Sequence, residues 1–391
     1  MITRVLNCIT GLNVGGAEYM LARFVNELRG TDYLPEVMSL MSPGPVAALL
    51  RANNVPIHAL DMHTSMTSLR ALTRLRSVMA ATPSDLLHGW MYHGNLAASA
   101  AALMGASQPV IWSVHHSLDE IKREKPLTRF IIRLQARLSK MTSAISYCSS
   151  TAAAQHEALG FDASKRVIIP NGIDCEAFRP LPNARERIRA ELNIPPERLV
   201  IGNVARAHPM KNHEGFVRIL AQLRTQGFDV HGLIIGEGHS DGAARRLARD
   251  MDLEDRLTTP GPRSDVASLL PGFDVFVLSS AWGEAFPLSV AEAMACGVPV
   301  VATDIGDCAW LIGDHDLISR PGDPEAQAQV VASLFSQSAE ARSRRGLAGR
   351  KRVEQRFSLR QYRDAHMCLY EAALEERRRS GSNNAWRRIG A

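Results

Sequence analysis

The sequence predicts an α/β protein made of two doubly wound parallel-sheet domains. Three observations point there: a length of 391 residues, short β-branched runs that alternate with helical patterns in each half, and a proline-rich segment between the halves. A chain this long outgrows one ordinary hydrophobic core, so two domains are expected. A strand, a Gly-, Pro- or Ser-rich loop and a helix, repeated in that order, is the rhythm of a parallel sheet with helical crossovers.

In the first half the strand-like runs are RVLNCIT (4–10), VPIHAL (55–60), SDLLHGW (84–90), PVIWSVHH (109–116), SAISYCSS (143–150) and RVIIPNG (166–172). In the second they are LVIGNVA (199–205), VHGLIIGEG (230–238), RLTTPG (256–261), DVFVLSS (274–280) and VPVVATD (298–304). The segment 170–188 between them carries Pro170, Gly172, Pro180 and Pro182, the composition of a connector. The domains are expected over 1–175 and 176–360, followed by a helix over 361–379 and a loose tail over 380–391.

Composition narrows the function classes. A hydrophobic fraction of 46% with 22% charged residues is that of a globular chain, not a disordered one. Six cysteines without a CxxC pair indicate neither a disulfide framework nor a zinc site, and a reducing cytoplasm fits them best. The opening MITRVLNCITGL is too short and too polar for a signal peptide and reads as the first strand. No run approaches the ~20 apolar residues that span a bilayer. The net charge of +5 permits an anionic partner without naming one, and no motif points to nucleic acid.

Ligands of open parallel sheets bind beyond the carboxyl ends of the strands, so the residues just after each strand are the candidates. The first strand leads into Gly11, Gly15 and Gly16 before a helix that opens near Ala17. Backbone N–H groups there can reach a phosphate or a sugar hydroxyl, and a plain strand-to-helix turn is the alternative. LVIGNVA is followed by Arg206 and, across a loop stiffened by Pro209, by Lys211. Two cations beyond one strand end suit a diphosphate, although a surface pair would look the same.

DVFVLSS is followed by the loop AWGEAF with Glu284, a helix with Pro287 in its first turn and Glu292 about two turns in, and Gly297 past its end. Two acids in so apolar a stretch call for partners, because a buried unpaired carboxylate is costly. Sugar or ribose hydroxyls could supply them, alongside the N–H groups of Phe286 and Leu288. In the first half His115 and His116 stand at a strand end, where adjacent side chains point to opposite faces, so one of the two is the candidate.

Together, GGAE at 15–18, Arg206 with Lys211, GEG at 236–238, the E-x7-E pair Glu284 and Glu292, and ACGVPVVATDIG resemble the nucleotide-sugar glycosyltransferases of family 4, as do IIPNGID and RFSLRQY. The resemblance spans nearly the whole chain, and its most specific part is the E-x7-E passage. It implies the GT-B fold, two Rossmann-like domains facing a cleft, and a retaining transfer of a hexose from a nucleotide-diphosphate sugar to a glycan or lipid-linked acceptor. By that resemblance Arg206 and Lys211 hold the diphosphate, Glu284 with the backbone at Phe286 and Leu288 holds the sugar, and Glu292 holds the ribose. Gly15 and Gly16 line the diphosphate side of the acceptor domain. His115 corresponds to the strand-end histidine near the reacting sugar, with His116 second, and the last helix crosses back to the first domain. No metal and no cofactor are implied. One departure is that ATDIG is followed by DCAWLIGD (307–314), where the family has a second glycine and soon a glutamate.

Residues 122–141 form a basic amphipathic helix pattern. Leu127, Ile131, Leu134, Leu138 and Met141 share one stripe, while Lys125, Arg129, Arg133 and Arg137 recur at i, i+4 on another. Such a face can lie on an anionic membrane, which would place the enzyme on the inner face of the plasma membrane in surface-polysaccharide or exopolysaccharide assembly. The alternative is packing of the stripe on the sheet. Two rival functions share the fold, a nucleotide-sugar epimerase or hydrolase and a non-catalytic nucleotide-sugar-binding subunit. Retention of all four charged residues weighs against the latter.

Overall fold

The structure is a computed structural model that describes residues 2–62, 69–104 and 108–389. The chain divides into two compact units, Met1–Gly172 with Leu359–Ala391, and Ile173–Ser358. Each unit is built on one all-parallel sheet.

In the first unit the strands are β1 (Thr3–Ile9), β2 (Tyr33–Ser39), β3 (Ile57–Ala59), β4 (Leu86–Trp90), β5 (Val110–Val114), β6 (Ala144–Tyr147) and β7 (Arg166–Ile168). They lie in the order β3-β2-β1-β4-β5-β6-β7. In the second the strands are β8 (Leu199–Val204), β9 (Val230–Ile235), β10 (Leu257–Gly261), β11 (Val275–Leu278), β12 (Val300–Thr303) and β13 (Ile318–Ser319), in the order β10-β9-β8-β11-β12-β13. The strand order therefore reverses between β1 and β4 and between β8 and β11. At such switch points the connections diverge to opposite faces and leave a crevice beyond the carboxyl ends.

The continuous apolar runs follow from this geometry. Strands β4, β5 and β6 are buried at every position, because helices cover both faces of a parallel sheet. Strand β2 was absent from the sequence reading, since Pro35 and Glu36 interrupt its apolar pattern. Pro35 is tolerated because its side of the strand faces β3 before β3 begins: Val37 N–H, two residues on, already donates to Pro56 O at 2.9 Å, and the β2–β3 register opens at Val37 with Ile57.

The units part at Gly172 and Ile173, within three residues of the boundary expected at 175, and again at Ser358 and Leu359. One helix, Leu359–Ile389, closes the chain, so the stretch from 380 to 389 expected as a loose tail continues a helix. Residues 390 and 391 lie outside the described residues. This helix packs on the helix Gly16–Glu27 through Phe24, whose ring meets Tyr362 at 5.8 Å and His366 at 4.7 Å. Tyr370 reaches farther in, its hydroxyl 2.7 Å from His88 Nδ1 on β4.

Candidate functional site

The switch point of the second unit gathers most of the predicted residues. Beyond β8 the chain runs through Arg206 to Lys211, and beyond β11 it runs through Ser279 and Ser280 to Glu284. Because β8 and β11 are neighbours, these two loops meet. Lys211 Nζ lies 2.6 Å from Glu284 Oε1, and Ser280 Oγ donates to the same oxygen at 2.6 Å. Glu284 is 6% exposed, so the pair is a buried, hydrogen-bonded ion pair. The loops are locked together by Ala281 N–H on Met210 O at 2.8 Å and by Ser279 Oγ on the carbonyls of Lys211 and Asn212.

Below this pair the second unit carries a buried polar brace. Asn203 Nδ2 donates to Val277 O at 2.7 Å, tying β8 to β11. His213 Nε2 donates to Asn203 Oδ1 at 3.2 Å, and His239 Nε2 donates to Ala205 O at 2.9 Å, at the root of the Arg206 loop. Burial, then His239 and Lys211, push the His213 imidazole down to about 3, so this ring is neutral.

Arg206 is exposed, and among the described residues its side chain has no hydrogen bond or ion pair. The two predicted cations thus differ: Lys211 is held by a carboxylate and Arg206 is not held at all. Sequence reasoning had assigned Lys211 and Glu284 to separate parts of a ligand and had missed Ser280.

Glu292 stands on the helix Leu288–Ala295, whose N-cap is Pro287 rather than a first-turn proline, and it lies little more than one turn in instead of two. It is half-buried, and it helps burial raise the Cys296 thiol to about 12. Gly297 ends the helix in the left-handed region, φ 73°, as its position suggested. Phe286 is buried against Phe357, rings 5.5 Å apart, while Leu288 opens the helix half-buried. The segment after β12 packs directly on this loop. Gly306 has φ 58°, and a Cβ there would overlap Glu284 O, so only glycine allows the approach. The departing segment forms a short helix, Cys308–Ile312, anchored by Asp307 N–H on Ala285 O at 3.2 Å. Asp314 and Asp316 are engaged by Arg345, at 3.0 and 3.9 Å.

In the first unit Gly15 caps the helix Gly16–Glu27, and a Cβ on it would collide with the Glu18 carboxylate. Burial raises the pKa of Glu18. His115 and His116 point to different surroundings. His115 stacks on Trp90 with centroids 5.3 Å apart and planes within 3°, and its Nδ1 meets Asn171 Oδ1 at 2.8 Å. Its Nε2 is buried without a partner, and desolvation pushes the imidazole down to about 4. His116 turns the other way, to Glu124 Oε1 at 2.8 Å. Trp90, Tyr92 and Trp112 are core residues, hydrogen-bonded to Asn7, His156 and Ser99.

Two family models match the chain: "Glycosyltransferase Family 4" over residues 14–177 and "Glycosyl transferases group 1" over residues 184–352. The chain belongs to glycosyltransferase family 4. Among the relatives of this family-4 chain, EpsF of Bacillus subtilis (strain 168) is 26% identical over 77% of the chain and 79% of EpsF. The UDP-Gal:alpha-D-GlcNAc-diphosphoundecaprenol alpha-1,3-galactosyltransferase of Escherichia coli is 26% identical over 61% of the chain and 62% of that enzyme. Anabaena Alr3699/HepE, solved in complex with UDP and glucose, superposes with a TM-score of 0.81 at 20% identity, covering 95% of the chain and 100% of HepE. That similarity establishes the GT-B fold of the family-4 chain.

Proposed function

We propose that this family-4 chain is a retaining hexosyltransferase that moves a sugar from a nucleotide-diphosphate donor to a glycan or lipid-linked acceptor, at the inner face of a bacterial plasma membrane in surface-polysaccharide or exopolysaccharide synthesis. The observation that carries this reading is the buried Lys211–Glu284–Ser280 cluster, with Arg206 unengaged nearby in sequence, at the carboxyl ends of β8 and β11. In a doubly wound sheet that is where a ligand belongs.

Cleavage between the anomeric carbon and phosphate leaves positive charge on the sugar ring and negative charge on the diphosphate. Arg206 and Lys211 stabilise the departing diphosphate, Glu284 positions the sugar through its hydroxyls, and Glu292 accepts from the ribose. The backbone N–H groups at Phe286 and Leu288 complete the donor grip. Retention follows when the acceptor attacks from the face the diphosphate leaves, and the diphosphate takes the acceptor's proton. The first unit, with His115, Gly15 and Gly16, holds the acceptor side. No metal is needed in this scheme. The E. coli relative is a UDP-Gal-dependent galactosyltransferase and HepE is solved in complex with UDP and glucose, which makes UDP-sugars the first donors to try.

The test is a screen of UDP-, GDP- and ADP-sugars for thermal stabilisation and slow hydrolysis, followed by transfer assays on the responding donor. Replacing Arg206 or Lys211 by Ala is expected to lower turnover by ~10²–10³, as for loss of one preorganised charge-stabilising donor. Nuclear magnetic resonance of the product should show the donor's anomeric configuration preserved. Full turnover in the Arg206→Ala, Lys211→Ala double variant would overturn the reading.

A further inference from the structure

We propose that Asn171 is a positioning residue: its side-chain oxygen takes the Nδ1 proton of His115 and leaves the buried Nε2 of that ring as a lone-pair acceptor for a substrate hydroxyl. The hydroxyl rests on the transferase reading above, whereas the tautomer rests on the geometry of the first unit alone.

The ring is held at one face and at Nδ1. Its plane lies within 3° of the Trp90 indole, and that indole is fully buried and fixed by its own N–H on Asn7 Oδ1 at 3.1 Å. Met91 Sδ sits 3.4 Å from the His115 backbone N–H. Asn171 is 5% exposed, between Pro170 and Gly172. Gly172 is closely packed: a Cβ there would come within 2.7 Å of Tyr362 and 3.0 Å of Leu359, so a side chain at that position is not accommodated. From this buried, closely packed position the amide oxygen meets Nδ1 at 2.8 Å. An amide oxygen can only accept, so Nδ1 carries the proton.

A neutral imidazole has one proton, and with Nδ1 protonated Nε2 has none. The titratable groups around the ring are His88 on β4 and His366 on the last helix. Both are fully buried, and burial lowers both, so neither supplies a charge that would favour a second proton on His115. Nε2 is then a buried acceptor without a donor, a state native structures rarely keep unless something completes it. A phosphate or carboxylate would set lone pair against lone pair. The group that fits is a hydroxyl, the donor that sugars carry in abundance. Asn171 stands in the connector, and its side chain gives that residue a function beyond joining elements.

The experiment uses the full chain labelled with ¹⁵N-histidine, with the His115 signals assigned by their loss in His115→Gln. Two-bond ¹H–¹⁵N spectra are expected to show His115 as the Nδ1–H tautomer, still neutral at pH 5. Asn171→Ala should release the preference and mix the tautomers, with kcat reduced by up to about 10²-fold while the donor KM changes little. Asn171→Asp should raise the imidazole pKa and add an acid limb to the rate profile, because protonated Nε2 donates instead of accepting. An Nε2–H tautomer in the native protein, or an unchanged tautomer in Asn171→Ala, overturns the positioning role. The expected tautomer shift with unaltered kcat and pH profile overturns the hydroxyl assignment. Absence of transfer from any donor, with the tautomer as expected, counts against the transferase reading and leaves the positioning role standing.

Discussion

Lys211 and Arg206, five residues apart, illustrate how differently two cations of one loop can be held. Lys211 pairs with Glu284 under burial that leaves their side chains 17% and 7% exposed. Removing one member of a buried pair strands the other charge and typically costs about 3–5 kcal/mol. Lys211→Ala should therefore lower the midpoint of thermal unfolding by several degrees, whereas Arg206→Ala should leave stability within about 0.5 kcal/mol. Differential scanning calorimetry of both variants checks this, and an equal effect would show that the ion pair contributes little. The sequence marked Arg206 together with Lys211, and Glu284 together with Glu292, because they follow strands. It could not mark the pairing of Lys211 with Glu284, since the partners lie 73 residues apart and meet only through the adjacency of β8 and β11. Ser280 lies only four residues from its partner Glu284, but a serine at a strand end carries no charge or pattern that marks it. Asn171 was legible only as part of a connector, because its partner His115 is 56 residues away.

At the scale of elements, what could be read depended on whether periodicity or tertiary packing decides the outcome. Runs such as LVIGNV and VFVL announced strands because a parallel strand is apolar on both faces, while β2 escaped through Pro35 and β13 through having two residues. The helix Pro126–Leu138 was found, but not its orientation. Its buried side is Ile131, Ile132, Gln135 and Ala136, with Gln135 hydrogen-bonded to Tyr92 O on the helix Met91–Met104, so the expected Leu127–Ile131–Leu134–Leu138–Met141 stripe is split. Leu127, Phe130 and Met141 are 59%, 63% and 64% exposed, and Lys122, Arg123, Lys125, Arg133, Arg137 and Lys140 are exposed beside them. Apolar side chains rimmed by cations suit the headgroup region of an anionic bilayer better than water. We expect the protein to co-sediment with phosphatidylglycerol vesicles at low salt, less with phosphatidylcholine, and to lose most of that binding in the Leu127→Glu, Phe130→Glu variant. Undiminished sedimentation of the variant would assign the contact to another face.

For the molecule as a whole, buried neutral histidines set the response to acid. The first unit contains the buried His88, His115, His156 and His366 and the half-buried His93, and the second His213 and His231, all lowered chiefly by desolvation. His115, His156 and His231 fall to about 4 and His213 and His366 to about 3, against about 6.5 for an unfolded histidine. Between those limits the unfolded chain binds protons that the native chain does not, so stability is intact above pH 6.5 and is lost as the pH falls towards 4. Each such histidine removes up to about 1.4 kcal/mol per pH unit in that window. Five in one unit against two in the other makes the slope steeper for the first, and each unit has its own sheet and core on which the loss acts. Hydrogen exchange followed by mass spectrometry between pH 7 and 4 should show β4 and β5 losing protection at a higher pH than β8 and β9. His88→Gln with His366→Gln, which removes two of the five sites, should bring the transition of the first unit down towards that of the second, because the amide does not titrate. Simultaneous loss in both units, unmoved by that double replacement, would mean that carboxylates rather than the histidine core govern the acid limit.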